Sequence, residues 1–254
     1  MARLPISVQL YTLRDLTAKD MPGTLKRLAA IGYRYVEIAG FGNLTSAAEM
    51  RKALDDAGLK ASGAHVSLED LEKDFQQAAN ILKSLGTTNL IVPWIDPKRR
   101  ADAAAWSMLA DIISRLAAPA RAAKLDLLYH NHDFEFAAFD GKTAMDILLG
   151  HLDRQVKFEL DVYWVKFAGQ DPVTWIERLG GRLPLVHLKD LAAGKEKKFA
   201  QVGMGTLDFP AIVNAASRAG AKFGVVEQDD TYGVDPLKAV QISLQNLKKM
   251  QLVE

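Results

Sequence analysis

The chain has 254 residues, 49% of them hydrophobic and 25% charged, and its 32 Lys and Arg against 31 Asp and Glu leave a formal net charge of +1. That balance gives no global field to hold a nucleic-acid backbone or an anionic membrane, so neither is expected as a partner and a small, weakly charged ligand fits better. With no cysteine, disulfides, thiolate metal sites and a cysteine nucleophile are excluded.

This length suits one hydrophobic core, and a single domain over residues 1–254 is expected. The opening MARLPISVQLYTLRDLTAKD has no long apolar stretch or small-residue cleavage site and reaches an acidic residue at Asp15, so it reads as mature cytoplasmic sequence. Apolar runs too short for helices then alternate with longer helical patterns. In chain order they predict a strand at Ile6–Tyr11, a helix at Thr24–Ile31, a strand at Tyr33–Ile38, a helix at Ala47–Ala57, a strand at Lys60–His65 and a helix at Leu68–Leu85. There follow a strand at Asn89–Pro93, a helix at Ala101–Ala123, a strand at Leu125–His130, a helix at Thr143–Leu149, a strand at Val156–Asp161 and a helix at Pro172–Leu179. The last units are a strand at Leu183–Leu188, a helix at Phe209–Ala219, a strand at Phe223–Glu227 and a closing helix at Leu237–Met250. Gly32, Gly58, Gly86, Gly180 and Gly220 fall just after helices, where a left-handed residue ends them. Eight such units with apolar strands favour a closed (β/α)₈ barrel, a TIM barrel of α/β class, over an open sheet. The charged run Lys195–Lys198 reads as a solvated turn.

A parallel barrel builds its site at the C-terminal ends of its strands, and ionisable residues recur there. They are Glu37 in YVEIAG, His65 in GAHVS, the cluster YHNHDFEF from Tyr129 to Phe136, Glu159 and Asp161 in FELDVYW, His187, Lys189 and Asp190 in LVHLKD, and Glu227 in VVEQDD. A lone member of this set is as readily a satisfied core residue as a functional one. Together they converge as the donors of a divalent cation would, because several buried carboxylates need compensating charge. Glu159 shares a strand face with Asp161, and Lys189 with His187, so Glu159 and Lys189 are either an interior ion pair or proton carriers. Tyr11, Phe41, Trp94 and Trp164 lie at or just past strand ends, suited to stack on the apolar face of a ligand, whereas Trp106 and Trp175 read as helix packing.

On the segments SVQLYTLRD, IGYRYVEIAGFG, YHNHDFEF, VHLKD, VGMGTLDF and VVEQD, in that order, the chain resembles the xylose-isomerase-like sugar phosphate isomerases and epimerases. That family also includes keto-inositol dehydratases and an endonuclease branch. The resemblance implies one divalent ion (Mn, Co, Zn or Mg) held by residues ending strands five to eight. The last three positions fall on Asp161, His187 and Glu227. Where many members have Glu-Asn-His, this chain has His130-Asn131-His132, which puts His130 at the first position, with His132 and Glu135 as rivals, and biases the site toward Mn or Zn over Mg. The same resemblance makes Glu227 a base in an enediolate mechanism, with His132, Glu135, Glu159 or Lys189 as the second proton carrier. Tyr11, Glu37, His65, Trp94 and Trp164 are expected to bind substrate. VGMGTLDF is expected to loop over the site and lead into the next helix, with Asp208 as its N-cap. The expected activity is sugar or keto-sugar isomerisation or epimerisation, with elimination from a keto-inositol or 3-keto sugar as the alternative. Non-catalytic carbohydrate binding ranks third, an endonuclease role lower still, and a homo-oligomer is compatible with the sequence.

Overall fold

Strands short enough to be buried on both faces, each followed by an amphipathic helix, leave the sheet no place to end except on itself. The computed structural model describes residues 2–254 and shows this closure. The barrel strands are β1 (Ile6–Gln9), β2 (Tyr35–Ile38), β3 (Lys60–His65), β4 (Asn89–Val92), β5 (Asp126–His130), β6 (Lys157–Asp161), β7 (Leu185–Leu188) and β8 (Phe223–Val226). All neighbours are parallel and β1 pairs with β8 to close the ring.

The helices are α1 (Arg14–Ile31), α2 (Ala47–Ala57), α3 (Leu68–Leu85), α4 (Ala103–Ala122), α5 (Ala144–His151), α6 (Val162–Phe167), α7 (Pro172–Leu179), α8 (Phe209–Arg218) and α9 (Pro236–Lys249). Two depart from the sequence reading. α1 starts ten residues earlier than Thr24, because its two halves meet at a non-helical Asp20 whose Oδ1 accepts from Gly23 N (2.9 Å) and restarts the helix beside Pro22. α6 was not foreseen, since the sequence pattern assigns no element to the segment after the strand Val156–Asp161; Asp161 Oδ1 accepts from Tyr163 N (2.9 Å) and Trp164 N (3.1 Å) and turns the chain into a helix. Gly58 and Gly86 end α2 and α3 at φ 69° and 75°, as expected of left-handed caps, whereas Gly180 at φ 51°, ψ −134° is not one. Lys195–Lys198 lies in the connection between the short paired segments Asp190–Leu191 and Phe199–Ala200.

The core has two parts. The larger fills the space between strands and helices, while Ile91, Leu128 and Leu185, joined by Phe223, form a separate small cluster. Leu128 and Leu185 precede His130 and His187 by two residues on their strands, so the same inward face is apolar at one level and polar at the next. The register places His130 beside Glu159 and Asp161 beside His187. Among the described residues no helix is long and apolar enough to cross a membrane.

Candidate functional site

Above the apolar layer lies a polar one, wholly buried except for the edge of His65. Glu159 Oε2 is within 3.0–3.1 Å of three imidazoles, at His65 Nε2, His130 Nδ1 and His187 Nε2. Glu37 Oε1 lies 2.7 Å from His187 Nε2 and 3.1 Å from His65 Nε2, and accepts from Gln9 Nε2 (2.8 Å). Burial works against charge here, but the two carboxylates outweigh it: His65 is pushed up to about 9 and His187 well above its ordinary value. Burial first, and then the charge of the neighbouring cations, holds His130 neutral despite its 3.0 Å approach to Glu159, and holds His132 neutral too, down to about 3.

The next level carries Asp161, His187, Lys189 and Glu227. Lys189 Nζ stands 2.6 Å from Glu227 Oε2, 2.7 Å from Asp229 Oδ1 and 3.1 Å from Asp161 Oδ2. Although burial opposes it, this trio keeps Lys189 charged, and Lys189 with His187 Nδ1 (2.9 Å) holds Glu227 well below the usual carboxylate range. Burial pushes Asp161 up to about 6, against the pull of Lys189.

A cavity of about 580 Å³ opens onto this level, lined by Tyr11, Ala39, His65, Ser67, Pro93, Trp94, His130, His132, Lys189, Glu227 and Asp229. Of the residues singled out from sequence, Tyr11, His65, Trp94, His130, His132, Lys189 and Glu227 therefore meet at one surface. Others do not. Glu37 and Glu159 are wholly buried beneath the cavity and hold imidazoles rather than ligand. No ion pair forms between Glu159 and Lys189, which reaches Asp161, Glu227 and Asp229 instead. Glu135 turns away: it accepts from the Tyr129 hydroxyl (2.6 Å) and from His132 N (2.7 Å), and burial pushes it up to about 7. Trp164 stands behind the site, its ring 5.5 Å from that of His132, and Phe41 packs on the core.

The expected metal ligands also divide. Asp161, His187 and Glu227 each present one atom within 4.8 Å of the others, whereas His130 groups with His65, Glu159 and His187 one level down. His130 Nε2 is still only 3.9 Å from Asp161 Oδ2. Nitrogen and oxygen donors at about 2.0–2.2 Å from one ion stand at most ~4.3 Å apart; His187 Nδ1 meets this with Glu227 (2.9 Å) and Asp161 (4.0 Å), so these three could hold a divalent cation, with His130 at its border. Asp161 Oδ2 has no hydrogen-bond partner, its 3.1 Å approach to Lys189 lacking the alignment of one. His187 is also oriented as a ligand should be, with Nε2 on Glu37 and Nδ1 toward Asp161 and Glu227.

Sequence reasoning missed three supporting residues. Asn131 fastens β5 to β6 by accepting from Asp161 N (2.9 Å) and donating to Asp161 O (3.4 Å); its place inside the HNH triplet was the available signal. Gln9 ends β1 and holds both Glu37 and Tyr11 N. Asp229 follows Glu227 by two residues, the spacing that returns a side chain to the same face. Asp190 anchors the VGMGTLDF loop by accepting from Gly203 N, Gly205 N and Leu207 N, and Asp208 caps α8 through Ala211 N (3.0 Å).

Known proteins share this fold. A solved sugar phosphate isomerase/epimerase from Parabacteroides distasonis superposes with a TM-score of 0.86 at 27% identity, over 100% of this chain and 96% of that one. An IOLI protein solved with a zinc atom bound superposes with a TM-score of 0.77 at 14% identity, covering 97% of each chain. An inosose dehydratase of Clostridium beijerinckii is 24% identical over 179 residues, a match that spans 62% of this chain and 59% of that protein. The family model described as xylose isomerase-like TIM barrel matches residues 25–250, and the chain belongs to that family.

Proposed function

We propose that this chain moves a proton at the carbon beside a carbonyl of a sugar or polyol, as a metal-dependent isomerase or epimerase. The observation that carries the reading is the pairing, in one cavity, of an ionised carboxylate, Glu227 on the β8 side, with a neutral imidazole, His132 on the β5 side. A divalent ion held by Asp161, His187 and Glu227 would polarise the carbonyl and a neighbouring hydroxyl as a Lewis acid; the zinc of the IOLI protein supports that assignment. Imidazole donors favour Mn, Co or Zn over Mg.

Glu227 is the base: Lys189 and His187 keep it deprotonated near neutral pH. His132, stacked on Phe134 with ring centroids 5.2 Å apart and held by Glu135 through its backbone N–H, is fixed to exchange the second proton. Lys189 and a cation would compete for Asp161 Oδ2 and Glu227 Oε2, so a bound cation would leave Lys189 to Asp229 and to ligand oxygens.

A second reading, elimination from a keto-inositol or 3-keto sugar, is favoured by one feature. The β5 side brings no carboxylate to the cavity, since Glu135 is bound to Tyr129 and the His132 backbone. One base and a departing group then suffice, and the dehydratase relative supports this. The test is NMR in D₂O with ketoses, keto-inositols and 3-keto glycosides, on protein stripped of metal and reloaded. Epimerised product or α-deuterated substrate is expected from the first reading and an unsaturated product from the second. No α-exchange with any substrate and any metal would end both.

A further inference from the structure

The cavity lining is divided by strand. The exits of β5 to β8 supply His130, His132, Lys189, Glu227 and Asp229, whereas those of β1 to β4 supply His65, Ser67, Ala39 and Pro93 together with Tyr11 and Trp94, the only aromatic rings other than imidazole on the lining. Tyr11 and Trp94 are 45% and 46% exposed, and both line the same cavity. Tyr11 is also held in place, its N–H on Gln9 Oε1 (3.1 Å) and the Arg14 guanidinium 4.4 Å from its ring.

We propose, building on the reading above, that the substrate is an uncharged glycoside whose reacting ring sits on the β5–β8 side and whose second ring stacks on Tyr11 and Trp94. A cavity of about 580 Å³ lies within the roughly 300–1,000 Å³ that encloses ligands larger than one sugar ring. A phosphate group finds no welcome there. Capture of phosphate calls for an Arg fork, free ammonium groups or unpaired helix N–H groups. Both cationic side chains of the lining are already engaged: Lys189 by three carboxylates, two of which line the cavity themselves, and His65 by Glu37 and Glu159 at 3.1 Å each. Arg14 at the rim donates to the carbonyls of Tyr11 and Asp229.

The experiment is calorimetric binding to the full-length protein of p-nitrophenyl glucoside, cellobiose, glucose and glucose 6-phosphate. None of these carries the ketone, and the reducing sugars are checked by NMR for exchange at the carbon beside their open-chain aldehyde, so binding is told apart from turnover. Both two-ring ligands should bind about tenfold tighter than glucose, and glucose 6-phosphate no tighter than glucose. Trp94→Ala and Tyr11→Ala, with unchanged circular dichroism, should each erase that preference and leave the glucose affinity within about twofold. The proposal is overturned if glucose 6-phosphate is the tightest ligand, if the two-ring compounds show no advantage or no saturable binding, or if the variants weaken all ligands alike.

Discussion

Replacing Lys189 with Met removes the ammonium that sits among Asp161, Glu227 and Asp229 at 3.1, 2.6 and 2.7 Å. Methionine retains most of the apolar stem, so the change is chiefly one of charge. Lys189, Asp161 and Glu227 are each at most 5% exposed, and removing one partner of a buried ion pair costs about 3–5 kcal/mol. Proton uptake relieves part of this, because Asp161 is already pushed up to about 6 by burial. At about pH 8 the metal-free variant should therefore lose ~3 kcal/mol, or roughly 6–12 °C in Tm for a chain of this size. The sign with pH follows from which state binds protons more tightly. Burial raises the folded pKa values of Asp161 and Asp229 even with Lys189 beside them, and its loss raises them further, so the folded variant is least penalised in acid and the deficit grows as pH rises through about 6. Wild-type Glu227 is the opposite case: its depressed folded pKa gives stability present above the unfolded value and lost only as the pH falls far into acid. A divalent cation should restore the missing charge, so Mn or Zn should raise the Tm of the variant more than that of the wild type. Thermal melts of metal-stripped protein across this pH range, with and without added metal, measure all three effects. Equal Tm values for the two proteins at about pH 8, or a deficit that shrinks as pH rises, would refute the reasoning.

With metal in excess, Glu227→Gln should lower kcat by roughly 10²–10⁴-fold and reduce α-carbon deuterium exchange in parallel; a wild-type rate would remove Glu227 as the base. Glu135, raised to about 7 by burial, contributes stability that is complete below its unfolded pKa and is lost as pH rises through about 7. Urea melts should therefore show wild type losing up to about 3 kcal/mol between acid and mild alkali, a loss that Glu135→Gln does not share; parallel pH profiles would count against it. Asp190→Ala leaves the N–H groups of Gly203, Gly205 and Leu207 unpaired, so hydrogen exchange should speed up across residues 203–207 while the barrel strands stay protected. Unchanged exchange there would mean the loop is held by other contacts.

The barrel was legible because its signals are local. The apolar runs from Ile6 to Glu227, the glycines that end α2 and α3, and the lengths between them each depend on a few neighbouring residues, and strand ends carrying Glu37, His65, His130, Asp161, His187 and Glu227 mark the catalytic rim of such a fold. Alternation also placed Glu159 with Asp161 and Lys189 with His187 on shared faces. What a side chain meets across the barrel is another matter. Whether Glu159 pairs with Lys189 or with three imidazoles, whether Glu135 reaches the cavity or Tyr129, and how deep His130 lies relative to Asp161 depend on strand register, tilt and depth along the barrel axis. Those quantities belong to the closed ring as a whole. A strand pattern says which face a residue takes, but only the assembled barrel sets its level and its partners, and at 3 Å separations the level decides whether a carboxylate is a ligand, a base or a support for the imidazole above it.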